Sequence, residues 1–192
     1  TGFELAEARP AGAAAATGGD EALKQSGVQS LIYRYRDIGH LLACTDPLSP
    51  CQIDHPLLSL SAFGLDPADL DKTFVTRRFM RRSATLREIL QVLRSTYCGS
   101  IGVEFMYLQD PDERQWLIDR MEPGGNRGFF TPEQRLLLLK KLKEAALFER
   151  ELHKRFPGQT RFSLEGGDVL IPLLDAAVTK AATLGVTDVV SG

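Results

Sequence analysis

The histidines and cysteines are the first candidates for metal binding or catalysis in this chain. They lie at His40, His55 and His153 and at Cys44, Cys51 and Cys98. Their spacings match no zinc-ligand or thiol redox motif. The sequence also contains no serine in a nucleophile elbow and no P-loop. We therefore interpret the histidines as solvated or hydrogen-bonded side chains, and Cys98 as a packed one.

Two other segments could bind an anion. Gly166 and Gly167 stand at a predicted helix start, where free backbone N–H groups and the helix dipole attract negative charge. Alternatively, Ser163 or Glu165 caps that helix. The second segment, residues 76–82, places four arginines around Phe79 and Met80. It is either a phosphate-binding strip or a solvated loop or strand edge with one apolar side chain tucked in.

Apolar periodicity and capping residues predict the elements that must position these segments. Asp66-Pro67, the capping box Thr85–Glu88, Asp110-Pro111 and Thr131-Pro132 are typical helix starts. Residues 101–108 are a short strand or an extended buried segment, and a buried strand is predicted to begin at Val186. The predicted helices cover residues 28–44, 67–74, 86–98, 111–121, 132–156 and 166–184. Trp116 is predicted to lie on the buried side of its helix, and Gly185 is predicted to cap the end of the last helix.

The predicted fold class is mainly α, with five to six helices, ending in the first strand of an α/β fold. Residues 1–26 are expected to form a flexible linker or tail, because the small-residue run from 11 to 19 cannot anchor itself to a core. An alanine-rich run could also extend a helix. Residues 27–192 are then the helical region.

Composition excludes several classes of protein. The 192 residues are 43% hydrophobic and carry a net charge of −2, from 23 basic and 25 acidic residues. This balance argues against a nucleic-acid binder or a polybasic membrane protein. The apolar run 169–174 is far shorter than the roughly 20 residues that span a bilayer. Three scattered cysteines favour a reducing compartment over a disulfide scaffold.

Seven segments from about residue 28 onward carry recognisable short motifs: 33–48 (YRYR, GHLLA, DPL), 63–74 (FGL, DLDKTF), 86–90 (LREIL), 97–106 (YCGSIGVEFM), 115–117 (QWL), 148–153 (FE, LH) and 161–172 (RFSLEGG, LIP). In this order they resemble the thiamine-diphosphate-dependent E1 component of 2-oxoglutarate dehydrogenase. Two features depart from the family pattern: Cys44-Thr45 replaces a more usual Asp-Leu, and the arginine-rich loop 77–82 is idiosyncratic.

The resemblance implies oxidative decarboxylation of 2-oxoglutarate and transfer of the succinyl unit to a lipoyl-bearing E2 component. It further implies thiamine diphosphate and Mg²⁺ in the parent enzyme, an E1 homodimer, a role in the tricarboxylic acid cycle, and a bacterial cytoplasm or mitochondrial matrix. In the family, a Met-x-His-Arg-Gly-Arg-Leu segment and the diphosphate motif come later than the residues seen here. The fragment alone is therefore expected to hold no catalytic residue, to bind neither cofactor nor metal, and to be inactive.

The substrate-end candidates are Arg161, Phe162, Ser163, Glu165 and Gly166. Among the seven segments, the one at 161–172 is the best candidate to bind the distal carboxylate of a 2-oxo acid. Phe162 and Ser163 are predicted to line or support the substrate end, and Glu165 to orient its neighbours. No nucleic acid or membrane is expected as a partner.

Two other functions remain open from the sequence. One is a self-contained helical interaction or regulatory module. The other is an E1-like enzyme for a different 2-oxo acid, such as 2-oxoadipate. If the E1 interpretation holds, the helix at 166–184 and the strand from Val186 should expose apolar surface, because they lack the sheet that they would cover.

Overall fold

The structure is a computed structural model that describes residues 13–191, with side chains from Gly19 onward. The chain divides into two compact units, which we call the N-terminal unit (Thr1–Gly128) and the C-terminal unit (Phe129–Gly192). The described residues form five α-helices and one antiparallel pair of strands. These are α1 (Ala13–Ile38), β1 (Thr73–Val75), β2 (Ser83–Thr85), α2 (Leu86–Tyr97), α3 (Pro111–Met121), α4 (Pro132–Arg155) and α5 (Leu170–Thr183).

Helix α1 starts earlier and ends sooner than the helix predicted over residues 28–44. It covers Ala13–Ile38, and a 3₁₀ turn follows at Gly39–Leu42. Residues 13–26, predicted to be a linker, are therefore helical, which fits the high helix propensity of alanine. Their flexibility stays a prediction, and residues 1–12 lie outside the described part of the chain. The α1 side chains Val28, Leu31 and Tyr35 are fully buried.

Helix α2 forms the centre of the core of the N-terminal unit. Its predicted capping box is confirmed: the Glu88 N–H donates to Thr85 Oγ1 at 3.2 Å, and the Thr85 N–H donates to Glu88 Oε2 at 2.9 Å. Tyr97, at the end of this helix, is fully buried. A Cβ at Gly39 would lie 2.8 Å from the Tyr97 Cβ. Glycine at that position therefore lets the end of α1 approach α2 closely.

A short hairpin takes the place of one predicted helix. The helix expected over residues 67–74 is only a 3₁₀ turn at Pro67–Asp69, because Thr73–Val75 pair with Ser83–Thr85 as strands. Such β-branched and aromatic residues favour a strand once a partner is available. The loop between the strands matches the solvated-loop interpretation, with Phe79 partly buried against the core and Met80 exposed.

Helix α3 has the predicted limits but a different buried face. The Asp110 side chain accepts from the Asp112 N–H at 2.7 Å, which caps the helix as expected. Ile118 is buried, whereas Trp116, predicted to be buried, is 56% exposed. The preceding segment, residues 101–108, pairs with no strand among the described residues. Of the two alternatives for it, a short strand or an extended buried segment, the second is therefore correct. Phe105 in that segment is buried, with its ring stacked 6.1 Å from the Tyr97 ring.

A buried ion pair joins the ends of the N-terminal unit. Arg36 Nε donates to Glu122 Oε1 at 2.8 Å and Arg36 Nη2 donates to Glu122 Oε2 at 3.0 Å, with both side chains less than 10% exposed. The Tyr97 hydroxyl donates to Glu122 Oε1 at 2.9 Å. Burial, together with the charge of Glu122, raises the pKa of Tyr97, so the phenol stays protonated.

A second buried carboxylate, Asp69, ties α1 to the turn before the hairpin. Its side chain is fully buried and accepts from Lys24 Nζ at 2.8 Å and from Lys72 Nζ at 2.7 Å. The Asp66 N–H also donates to Asp69 Oδ2 at 3.0 Å. The hydrogen bonds from Lys24 and Lys72 hold the pKa of Asp69 well below its usual range.

The C-terminal unit consists of α4, α5 and their connections. The capping box Thr131–Gln134 starts α4 as predicted. Helix α5 begins at Leu170, four residues later than predicted, and ends with the expected glycine cap, where the Gly185 N–H donates to the Ala182 carbonyl. Among residues 129–191, Pro172 is the one buried residue. The predicted exposure of apolar surface is therefore confirmed, for example at Leu173, Leu174 and Val178.

The strand predicted to begin at Val186 is not formed. Residues 186–190 follow α5 without strand pairing in the described chain, and Val189 and Val190 are exposed. A β-strand needs a hydrogen-bonded neighbour, and the C-terminal unit offers none within its described residues. The fold class is thus mainly α with one small antiparallel sheet, and the α/β part of the prediction remains a proposal.

The cysteines differ from expectation at one pair. Cys44 and Cys51, whose spacing matched no motif, form a disulfide with their Cα atoms 5.0 Å apart. Cys98 is a free, half-buried thiol, and burial raises its pKa to about 11. It is therefore protonated at neutral pH and acts as a packed side chain, as predicted. Within residues 13–191, no helix has both the length and the apolar character that crossing a membrane requires.

Glu122→Gln should destabilise the N-terminal unit by about 3–5 kcal/mol, because it leaves Arg36 buried without a counter-charge. Urea unfolding followed by fluorescence of Trp116, the single tryptophan, measures this loss. Asp71→Asn is the matched control, since it breaks the exposed Asp71–Arg87 pair and should cost less than about 1 kcal/mol. Equal losses in the two variants would contradict the importance of the buried pair.

Asp69→Asn should lower the free energy of unfolding strongly at pH 7 and much less at low pH. The folded-state pKa of Asp69 is depressed, so its stabilising effect is complete above the unfolded-state pKa of about 3.9 and fades as the pH falls toward the folded value. Unfolding curves of both proteins between pH 7 and pH 2.5 test this. A difference between them that stays constant over that range would rule out the ionic role.

Candidate functional site

The substrate-end candidates lie in the connection between α4 and α5. Helix α4 ends at Arg155, where the Phe156 N–H donates to the Leu152 carbonyl at 3.0 Å, and Pro157-Gly158 then breaks the helical pattern. Residues 159–164 are irregular, and a turn follows at 165–166. The candidate segment is thus an exposed loop of the C-terminal unit.

One hydrogen bond holds this loop against its own unit. The Leu164 N–H donates to Glu149 Oε1 of α4 at 2.6 Å, and Leu164 is the half-buried residue of the loop. The Gly167 N–H then donates to the Leu164 carbonyl at 2.7 Å. Gly166 between them has φ +88°, a conformation that side chains of L-residues rarely adopt. Glycine at 166 is therefore required for the turn.

The structure places all five predicted residues together on this loop, and all five are exposed: Arg161, Phe162, Ser163, Glu165 and Gly166. Phe162 is 96% exposed, so it is not a core residue of the described chain. Ser163 Oγ lies 3.4 Å from Glu165 Oε2. In the described residues Arg161 forms no ion pair. The loop therefore presents a guanidinium, a phenyl ring and a hydroxyl to solvent.

The predicted helix start at Gly166 and Gly167 is wrong. Helix α5 begins at Leu170 with Val169 as its N-terminal flanking residue, and no side chain caps it. Neither Ser163 nor Glu165 is a capping residue, and the Gly167 N–H is already bonded to Leu164. The left-handed conformation at Gly166 interrupts the helical geometry, which delays the helix. An anion site at the helix N-terminus is therefore not supported.

Sequence reasoning missed a groove between α4 and α5. A cavity of about 430 Å³ opens there, lined chiefly by apolar side chains such as Phe130, Leu137 and Pro172. Lys141 Nζ donates to Asp175 Oδ1 at 2.9 Å along this groove, and that bond raises the pKa of Lys141. The sequence pattern that could have indicated this groove is the spacing of Leu137 and Lys141, because residues four positions apart lie on the same face of a helix. The groove can bind an apolar group.

The histidines are not brought together. His55 Nδ1 accepts from the Leu57 N–H at 3.2 Å and caps a 3₁₀ turn, as its interpretation as a hydrogen-bonded side chain requires. His40 Nε2 lies 3.8 Å from Glu104 Oε1. Over residues 13–191, no cluster of three or more His, Cys, Asp or Glu side chains is arranged to hold a metal ion. We therefore derive no metal chemistry from the described residues.

Comparison with known proteins shows what the chain is similar to. No protein-family model matches the chain. Curated relatives, however, are E1 components of 2-oxo acid dehydrogenases. The chain is 40% identical over 172 residues to the 2-oxoglutarate dehydrogenase E1 component of Azotobacter vinelandii. It is 42% identical over 175 residues to the 2-oxoglutarate dehydrogenase E1/E2 component of Corynebacterium glutamicum, and 39% identical over 165 residues to the E1 component of Brucella ovis.

These similarities cover most of the chain but a small part of each relative. They take in 88%, 88% and 84% of this chain, and only 18%, 14% and 16% of the Azotobacter, Corynebacterium and Brucella proteins. The resemblance to the E1 component of 2-oxoglutarate dehydrogenase, predicted from seven segments of sequence, is thereby confirmed. The chain spans less than a fifth of the length of these relatives.

Proposed function

We propose that this chain is the N-terminal part of the catalytic region of a 2-oxoglutarate dehydrogenase E1 component. The whole protein would decarboxylate 2-oxoglutarate oxidatively and pass the succinyl unit to a lipoyl group on E2, within the tricarboxylic acid cycle. The observation that carries this proposal is the 40% identity over 172 residues to the Azotobacter vinelandii E1 component. The Corynebacterium glutamicum relative, named as an E1/E2 component, supports the link to E2.

The proposal assigns the cofactors and partners to the whole protein. Thiamine diphosphate would supply the carbanion chemistry, Mg²⁺ would accompany it, and a second E1 subunit would complete a homodimer. The described residues contain no cluster of metal ligands. The contribution proposed for this chain is to bind and orient the substrate. The compartment proposed is the bacterial cytoplasm, or the mitochondrial matrix of a eukaryote.

Within the chain, the loop 161–166 is proposed to face the substrate. Its exposed Arg161 guanidinium can pair with the distal carboxylate of a 2-oxo acid, and the exposed ring of Phe162 can shape the pocket beside it. Ser163 and Glu165 lie 3.4 Å apart and can hold the loop's conformation. Gly166 allows the turn that ends it. None of the five is assigned as an acid or a base.

The two alternative functions differ from this proposal in testable ways. A self-contained interaction module would bury its own apolar surface, whereas the C-terminal unit exposes Leu173, Leu174 and Val178. An enzyme for 2-oxoadipate would share the fold and prefer a substrate that is one methylene longer. Comparing both 2-oxo acids as substrates of the complete protein, with pyruvate as a third, separates the proposed function from that alternative. Turnover of none of them would refute an E1 activity.

The isolated 192-residue chain should not bind thiamine diphosphate, with or without Mg²⁺, because the family's diphosphate motif is absent from it. Calorimetric titration of the cofactor into the chain measures this directly. The complete protein, titrated under the same conditions, is the positive control. Micromolar binding of thiamine diphosphate to the 192-residue chain would contradict the proposal that the cofactor site of the complete protein lies outside these residues.

Phe162→Tyr in the complete protein should change the ratio of kcat/KM for 2-oxoglutarate and 2-oxoadipate. A new hydroxyl at the substrate end alters polar pairing and volume there, which is worth about 1–3 kcal/mol in discrimination. The melting temperature should hardly move, because Phe162 is exposed. Phe156→Tyr is the matched control: it makes the same change at an exposed ring outside the loop and should leave the ratio unaltered. An unchanged ratio in Phe162→Tyr would remove this residue from the substrate end.

A further inference from the structure

We propose that the N-terminal unit carries a binding site for the phosphate group of a small molecule, in a pocket that Arg78 and Arg114 flank. We name it the arginine pocket. It is independent of the loop 161–166 and of the proposed E1 reaction. The residues that line it are Tyr33, Arg36, Arg78, Met106, Pro111, Arg114, Gln115 and Ile118.

The pocket is formed by four separate parts of the N-terminal unit. Tyr33 and Arg36 come from α1, Arg78 from the loop between β1 and β2, and Arg114 from α3. Its volume is about 160 Å³, which suits one small head group rather than a large ligand. Met106, on the segment before α3, adds an apolar wall.

The charge of the pocket is positive. Arg36 lines it, but Glu122 neutralises that guanidinium through two hydrogen bonds. The Arg78 and Arg114 side chains, by contrast, form no ion pair or hydrogen bond with any described residue. No carboxylate is among the lining residues. Two uncompensated guanidinium groups therefore border the same small cavity.

The position of Arg78 is set by the buried ion pair. Arg78 has φ +53°, in the left-handed region that residues other than glycine seldom occupy. Arg36 Nη2 donates to the Arg78 carbonyl at 2.7 Å, so the side chain that binds Glu122 also binds the arginine loop. Strained residues of this kind concentrate at ligand sites. The arginine-rich segment 76–82 is thus anchored next to the pocket.

The donors fit a phosphate better than a carboxylate. Each guanidinium presents a planar set of N–H groups that pair with two oxygens at once, and two such groups from different elements match the several oxygens of a tetrahedral anion. A phosphate monoester also carries a charge close to −2 at neutral pH. The Tyr33 hydroxyl can donate a further hydrogen bond, and the apolar wall can accept the remainder of the molecule.

Chemical-shift titration of the ¹⁵N-labelled 192-residue chain with inorganic phosphate tests the site. Sodium chloride keeps the ionic strength constant, and succinate serves as the carboxylate probe. We expect saturable shifts at Tyr33, Arg78 and Arg114, with phosphate binding at least tenfold tighter than succinate. Two variants remove one guanidinium each: Arg78→Gly, since glycine readily adopts the φ of +53° found at this position, and Arg114→Gln. Each should weaken phosphate binding tenfold or more.

Two controls match those variants in charge. Arg77→Gln changes the same loop, and Arg120→Gln changes the same helix, where its guanidinium lies 4.1 Å from the centre of the Trp116 ring. Neither residue lines the pocket, so each should weaken binding less than twofold. Absence of saturable binding, equal weakening by the control variants, or succinate binding as tightly as phosphate would overturn the proposal.

Discussion

The N-terminal unit depends on one buried interaction, the pairing of Arg36 with Glu122. It connects α1 to the turn after α3, and the Tyr97 hydroxyl brings the end of α2 to the same carboxylate. A buried charge without a partner costs several kcal/mol, so these three elements hold together only in an arrangement that pairs the Arg36 guanidinium with the Glu122 carboxylate. The same guanidinium binds the Arg78 carbonyl, which extends the network to the β1–β2 loop.

The C-terminal unit, by contrast, buries few of its side chains. Apart from Pro172, its described residues keep some exposure, and the apolar side chains of α4 and α5 remain accessible. Its internal polar contacts, Lys141 with Asp175 and Leu164 with Glu149, are partly exposed and contribute little by themselves. Such a surface is typical of a segment that packs against a further part of a protein. This agrees with a chain that covers less than a fifth of its relatives' length.

The candidate loop follows from this construction. It is held by one hydrogen bond to α4 and by the turn at Gly166, and its functional groups face solvent rather than the unit's own interior. A loop arranged in this way leaves its side chains free to contact a substrate. None of these side chains is assigned as an acid or a base. The arrangement suits a positioning role in the proposed E1 reaction.

Local signals in the sequence predicted much of this structure correctly. The capping boxes at Thr85 and Thr131 and the cap at Asp110 placed three helix starts, because capping depends on residues within one turn. The family resemblance was also evident from short motifs, whereas the substrate role of the five candidate residues stays a prediction. Tertiary contacts decided the rest: the pairing of β1 with β2, the burial of Ile118 in place of Trp116, and the disulfide between Cys44 and Cys51. Arg36 and Glu122 are 86 residues apart, and no local pattern predicts a contact at that separation, because only the packed core brings the two side chains together and removes them from water.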